Sequence, residues 1–382
     1  MEKVRLGDVC TINGGYAFKS DQFSTEGVPV IRIGNITKEG LIIDEDVCYD
    51  ENFWNENDSY RITKNDILIA MSGATVGKSC INNTERKLLL NQRVAAINCD
   101  NNINLKYIFY SIDSEKFSKY IMTNSIGCAQ PNISLKQIAN FEIPAICVEE
   151  QNRIAGELDK VADVINKRKQ QLKKLDELVK ARFVELFGDY DLSHAQNDWK
   201  SISEIGKVVG GATPKTNIEE YWDGEYRWIT PAELSADSGY IYDSVRKLTK
   251  AGVDSCSLQE MPIDTVILSS RAPIGKVAIA GNTFYCNQGF KNIICNKEIL
   301  PRYLYTVLLL NTEYLNALGR GATFKEISKS IVENIRIPVP PIELQEQFTT
   351  FVEQTDKSKL EVKKSLEKLE LLKNALMQKY FG

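Results

Sequence analysis

The stretch SGATVGKS, Ser72 to Ser79, carries the outline of a phosphate-binding loop. Such a loop needs Gly, four residues, then Gly-Lys-Ser/Thr, because glycine amides must approach the phosphates and the hydroxyl must reach Mg²⁺. Gly77, Lys78 and Ser79 fit, but Ser72 stands where the first glycine is required. Other candidate chemistry is thinner. The triplets Glu85-Arg86-Lys87 and Glu361-Val362-Lys363 have the carboxylates and lysine of a nuclease, yet such coincidences are expected in a chain with 26% charged residues. A lone histidine, His194 in DLSHAQND, removes most histidine bases and most zinc sites. The Asn/Asp-Pro-Pro-Tyr/Phe stretch that holds a flipped adenine is missing, since the only Pro-Pro is followed by Ile342.

The repeat inside the chain argues against the phosphate loop. DILIAMSGATVGKSCI (Asp66–Ile81) aligns without a gap on DTVILSSRAPIGKVAI (Asp264–Ile279) at a spacing of 198 residues, but Arg271 falls on Gly73 and Val277 on Ser79. Neither copy runs on into an amphipathic helix. The expected structure is a strand, a tight turn at Gly77 or Gly275, and a lysine offered at a loop. The repeat extends to LGDVCTINGG with ISEIGKVVGG, VIRIGNI with RWITPAEL, and NQRVAAI with NQGFKNI. It closes with Ile143-Pro144 to Phe187-Gly188 matching Ile337-Pro338 to Phe381-Gly382 at a spacing of 194. The chain is one unit written twice.

A 382-residue chain with 43% hydrophobic residues can bury two such cores. Nine cysteines without a CxxC pair, a charged start and no apolar run of about 18 residues point to a cytoplasmic chain with reduced thiols and no membrane span. The net charge of −4 argues against a nucleic-acid partner, but its distribution argues for one. Eight acids and no base lie between Glu39 and Asp58, whereas Arg61 to Lys106 holds seven bases and three acids, and Thr265 to Arg302 five bases and one acid. A basic patch on each half suits a two-site polyanion binder.

In the first tail Ile154, Leu158, Val161, Ile165, Leu172, Leu175 and Val179 step by fours and threes, with Arg168 in one seam place. In the second, Phe348, Val352, Thr355, Lys359, Val362, Leu366, Leu369 and Leu376 or Met377 do the same. Helices of about 38 residues, some 57 Å long, exceed what a domain of this size covers, so each tail is expected to pack antiparallel on the other. The fold class is α+β, with a pseudo-twofold internal repeat. Its divisions are a first globular domain at 1–146, a first long helix at 147–188, a second domain at 189–340 and a second long helix at 341–382.

FEIPAICVEEQNRI and IRIPVPPIELQEQF, duplicated around two helices together with the SGATVGK and SRAPIGK turns, make the chain resemble the specificity subunit of type I restriction-modification enzymes. The resemblance covers the whole chain; the first copy departs in having Ala145 and Cys147 where the second has Val339 and Pro341. It implies a non-catalytic reader of double-stranded DNA with two target recognition domains, one for each half of a split site. The helices set the spacer and dock two methylation subunits, and restriction subunits with a motor join them. S-adenosylmethionine, ATP and Mg would sit on those partners, with no cofactor in this chain. A stand-alone nucleotide-binding or nuclease enzyme, and a protein-binding adaptor, are the alternatives.

Candidate DNA contacts follow from position in the repeat. Lys78 and Lys276 share one turn, which suits a shared phosphate contact. Asn91, Gln92, Asn287 and Gln288 carry amides that either read adenine edges or cap their own turns. Arg93 opposite Gly289, Gly73 opposite Arg271, and Gln130 opposite a segment with Arg320 and Lys325 differ between copies, as readers of different half-sites would; Lys291 adds to the second basic patch. Tyr16, Phe18, Tyr107, Tyr303 and Tyr305 are expected to pack cores. The purified chain is expected neither to bind nor to hydrolyse ATP, checked by calorimetric titration; micromolar affinity abolished by Lys78→Ala would contradict this.

Overall fold

A computed structural model describes residues 2–100, 102–124, 131–234, 239–256, 258–319 and 325–382. They form two compact units, Met1–Gln171 with Val362–Gly382, and Leu172–Glu361. In the first unit Cys10–Gly14, Val94–Cys99, Ile67–Ala70 and Ser79–Ile81 make an antiparallel sheet in that order. A second sheet, in the order Cys48–Tyr49, Val28–Ile31, Leu88–Leu90, Arg61–Ile62, contains one parallel pairing, Val28–Ile31 with Leu88–Leu90. Runs such as ILIA and LLL are apolar at every position because both faces are covered. One face of ILIA meets the second sheet, where Leu68 packs with Leu88. The other face, with Ile67 and Ile69, packs in the cluster that contains the helices Leu105–Ile112 and Glu115–Asn124.

The second unit repeats this plan. Gly206–Gly210, Lys291–Cys295, Val266–Leu268 and Val277–Ala280 form the main sheet, extended by a parallel edge strand, Tyr240–Ile241. Trp222–Ile229 lies between Arg246–Leu248 and, in parallel, Tyr285–Cys286. The glycine pairs of the repeat are steric. A Cβ on Gly15 would stand 2.2 Å from the Leu90 carbonyl oxygen, and one on Gly211 2.1 Å from that of Cys286.

The fold is α+β, with two similar domains joined by two long antiparallel helices, Val148–Phe187 and Ile342–Phe381, each of 40 residues. The helices are not independent spacers: each begins in one unit and ends in the other. Ile154, Ala155 and Leu158 belong to the first core, whereas Phe183 and Phe187 belong to the second. Reciprocally, Phe348 and Val352 start the second helix in the second core, and Phe381 ends it in the first. Within the first unit the pairing is antiparallel, Arg153 lying over Tyr380 and Lys169 3.9 Å from Glu370. Within the second, Phe183 meets Phe348, and Lys359, the polar seam residue, reaches Asp176 at 2.6 Å.

The IP and EQ motifs close each unit in the same way. Tyr107 donates to the Pro144 carbonyl and Tyr303 to that of Pro338, both at 2.9 Å. Gln151 accepts from the Asn104 amide and donates to the Ile146 carbonyl; Gln345 accepts from the Leu300 amide and donates to the carbonyls of Pro340 and Glu298. Gln345 is wholly buried, so nothing replaces those bonds if the amide is lost. Gln345→Leu is expected to destabilise the second unit by roughly 1–3 kcal/mol, read by denaturant unfolding, while Gln347→Leu, at an exposed position, changes little.

Candidate nucleic-acid interface

The SGATVGKS segment is a hairpin turn. Ile67–Ala70 leads through a 3-10 turn, Gly73–Thr75, and Gly77 at φ +81° into Ser79–Ile81. In the second unit Gly275 takes φ +85°. The gapless alignment is corrected here by one residue. Ala70 and Ser269 each donate to the carbonyl of the hairpin lysine, Lys78 or Lys276, at 2.9 Å, and Asn65 and Asp264 hold the same left-handed corner before the strand. The spacing is therefore 199 before the turn and 198 after it, because the second turn is one residue shorter. The equivalent of Arg271 is Ser72, not Gly73: Ser72 bridges Asn132 as Arg271 bridges Glu326.

The two lysines do not share surroundings. Lys276 directs its ammonium onto the backbone oxygens of Leu234 (2.6 Å) and Pro231 (3.4 Å). Lys78 is exposed and makes no ion pair or side-chain hydrogen bond among the described residues. A common phosphate duty is thus not what the geometry offers, since the Lys276 charge is already held by carbonyls. The asparagines cap their own turns: Asn91 Oδ1 accepts from the Arg93 amide at 3.3 Å and Asn287 Oδ1 from that of Gly289 at 2.5 Å. Gln288 is bonded to Thr213, whereas Gln92 stays exposed. Gln130 and Arg320 lie outside the described residues.

Five of the seven cations of the basic stretch in the first unit pair with carboxylates, three of these in the acidic run before it. Arg86 makes a two-pronged pair with Glu45 at 2.6 and 3.0 Å, which holds the Glu45 carboxyl below the usual range. Lys87 pairs with Glu51, Arg61 with Asp58, Lys64 with Glu85 and Lys106 with Asp159. Of the seven cations in that stretch, only Lys78 and Arg93 lack a carboxylate among the described residues. The segregation of charge along the sequence is mostly folded back on itself.

Arg93 opens onto a groove of about 700 Å³ with Met71, Ser72, Gln92 and the segment Pro131 to Lys136. Among the described residues its walls carry two cations, Arg93 and Lys136, the amides of Gln92 and Asn132, and no carboxylate. Lys136 stands in the short helix Leu135–Ala139, capped by Ser134, whose hydroxyl accepts from the Gln137 amide. Neither Lys136 nor Asn132 stood out in the sequence; the signal was available in the match of PNIS to KEIS at the spacing that closes each half. In the second unit Glu326, also unmarked, holds Arg271 Nε at 3.0 Å and Lys291 Nζ at 3.2 Å. Burial raises its carboxyl, but the two cations outweigh that and hold it below the usual range. Lys325 is exposed beside it.

Among the described residues no group of three or more His, Cys, Asp or Glu is placed to hold a metal ion. His194 lies in one exposed turn, where Ser193 and Asp191 both address its Nδ1, at 3.0 and 2.8 Å. The sequence model described as the type I restriction modification DNA specificity domain matches residues 1–175 and again 196–372. The chain belongs to the type I restriction-modification DNA specificity family. This specificity chain is similar to the MjaIX specificity subunit of Methanocaldococcus jannaschii, 42% identical over 208 residues, which span 52% of this chain and 48% of that relative. The putative MjaX specificity subunit of the same organism is 27% identical over 379 residues, 92% of this chain and 85% of the relative. The EcoR124I/EcoR124II specificity subunit of Escherichia coli is 25% identical over 67% of this chain and 64% of its own length. The chain therefore spans about half of the first relative and more of the other two. In fold it matches the crystal structure of the type I restriction-modification system S subunit from M. genitalium, with a TM-score of 0.59 over 100% of this chain and 96% of that one at 17% identity.

The two hairpin lysines of the specificity chain should part company when substituted. Lys276→Ala leaves the Leu234 and Pro231 carbonyls without their donor and is expected to lower stability by about 1 kcal/mol. Lys78→Ala should leave it within about 0.5 kcal/mol. Denaturant midpoints of the two variants check this.

Proposed function

We propose that this specificity chain is the non-catalytic DNA-recognition subunit of a type I restriction-modification enzyme, each globular domain reading one half of a bipartite duplex site. The observation that carries the reading is the groove of the first unit, where, among the described residues, two cations without ion-pair partners and two amides line a wall without carboxylates in a chain of net charge −4. Cations without carboxylate partners meet phosphates, and amides and guanidinium groups meet base edges. The long helices set the spacer and receive two methylation subunits, which bring S-adenosylmethionine; restriction subunits bring ATP, Mg and the motor. Among the described residues no helix is long and apolar enough to cross a membrane.

Lys136→Ala, in the chain assembled with its methylation subunits, is expected to weaken duplex binding, and loss of its phosphate contact flattens the salt dependence by roughly 0.9 in log–log slope. Fluorescence anisotropy at several salt concentrations reads both quantities. Replacing Asp189 to Ile337 by the equivalent segment of a relative is expected to change one half-site only, scored by sequencing the methylated positions. Simultaneous change of both halves, or salt-independent binding, would refute independent readers of DNA.

A further inference from the structure

Near one end of the main sheet each unit carries a single arginine, on different strands and one residue apart in register. In the first unit the Met71 amide donates to the carbonyl of Arg93 at 2.9 Å, and the next residue on that side is Ser72. In the second the Ser270 amide donates to the carbonyl of Gly289 at 2.7 Å, and the next residue is Arg271. So the place of Arg93 is taken by glycine, and the place of Ser72 by arginine. A Cβ at Gly289 would stand 2.8 Å from Asn287 Oδ1 and 3.1 Å from Pro231 Cγ, so a side chain at the position Arg93 uses would require Asn287 and Pro231 to give way. The guanidinium is found instead one strand across and one residue further on, at Arg271.

The two arginines are also held differently. Arg93 is exposed and has no side-chain partner among the described residues. Arg271, 47% exposed at its side chain, gives Nε to Glu326, and neither Nη group has a hydrogen-bond partner among the described residues. Glu326 is itself fixed by Lys291, 12% exposed at its side chain, and Lys291 also reaches Ser270 Oγ at 3.2 Å. A guanidinium tethered at Nε presents its remaining donors as a fixed fork, and that fork matches the O6 and N7 acceptors of guanine in the major groove.

Resting on the DNA-reading function, we propose that Arg93 and Arg271 are the corresponding base readers of the two half-sites, each recognising one guanine, and that Glu326 is the positioning residue for Arg271. A phosphate contact is the competing use of the same side chains, and experiment separates the two. The full chain, co-expressed with its methylation subunits in a host without endogenous adenine methylation, is compared with Arg93→Gln, Arg271→Gln and Glu326→Gln by sequencing the modified sites. Each arginine variant is expected to lose discrimination for guanine at a single position of its own half-site by roughly 10-fold or more. Glu326→Gln relaxes the same position as Arg271→Gln, to a smaller extent, with unchanged salt slope. Uniform loss over all sequences with a flattened slope would make the arginines phosphate contacts and overturn the proposal. So would base preferences left intact in every variant. A wild-type assembly that modifies no defined site would instead overturn the DNA-reading function beneath it.

Discussion

Each core closes around one tyrosine that ties both long helices to a single point. Tyr107 bonds through its hydroxyl to the carbonyl of Pro144, just before the first helix sets out, and its ring lies 5.3 Å from that of Phe381, where the second helix finishes. Tyr303 does the same with Pro338 and Phe187, the rings 4.9 Å apart. The buried glutamine one turn into each departing helix bonds to the backbone at its start and to the residue before the tyrosine helix, so departure direction and domain are fixed together. Rotating either helix against its domain would strand buried amides and carbonyls, which is why the main sheet cannot swivel freely on its support.

Much of this was legible because the repeat exposed it. Motifs that recur at a constant spacing, IP, EQ and Phe-Gly, turn out to be the tyrosine and glutamine partners, and the heptads predicted long helices paired through their seams. The hairpin register was not legible. DILIA and DTVIL are apolar enough to align in either of two frames, and a one-residue shortening inside a turn leaves no mark on composition. Only the hydrogen-bond ladder distinguishes Ser72 from Gly73 as the counterpart of Arg271.

Side-chain partners were harder still, since they depend on segments far apart in the chain. Lys78 and Lys276 match in sequence, yet a turn at Pro231 to Leu234 offers its carbonyls to one of them. The acidic run from Glu39 to Asp58 read as a region separate from the basic stretch, but Glu45 and Glu51 fold onto Arg86 and Lys87. Charge counted along a sequence overstates a patch whenever opposite runs can pair; the residues left over, Lys78 and Arg93, are the informative ones.

The exchange of helix ends between the two units has a consequence for how the chain is made. Residues 172–361, the whole of the second unit, leave the ribosome before residues 362–382, which complete the first. The unit whose residues are translated first is therefore finished last, and Phe381 reaches the Tyr107 ring only after its neighbour has been synthesised in full. Nascent chains waiting in that state expose the apolar surface that Phe381 and Met377 later cover. A premature stop within those 21 residues damages the core at the opposite end of the sequence, and a frameshift there acts as an amino-terminal defect.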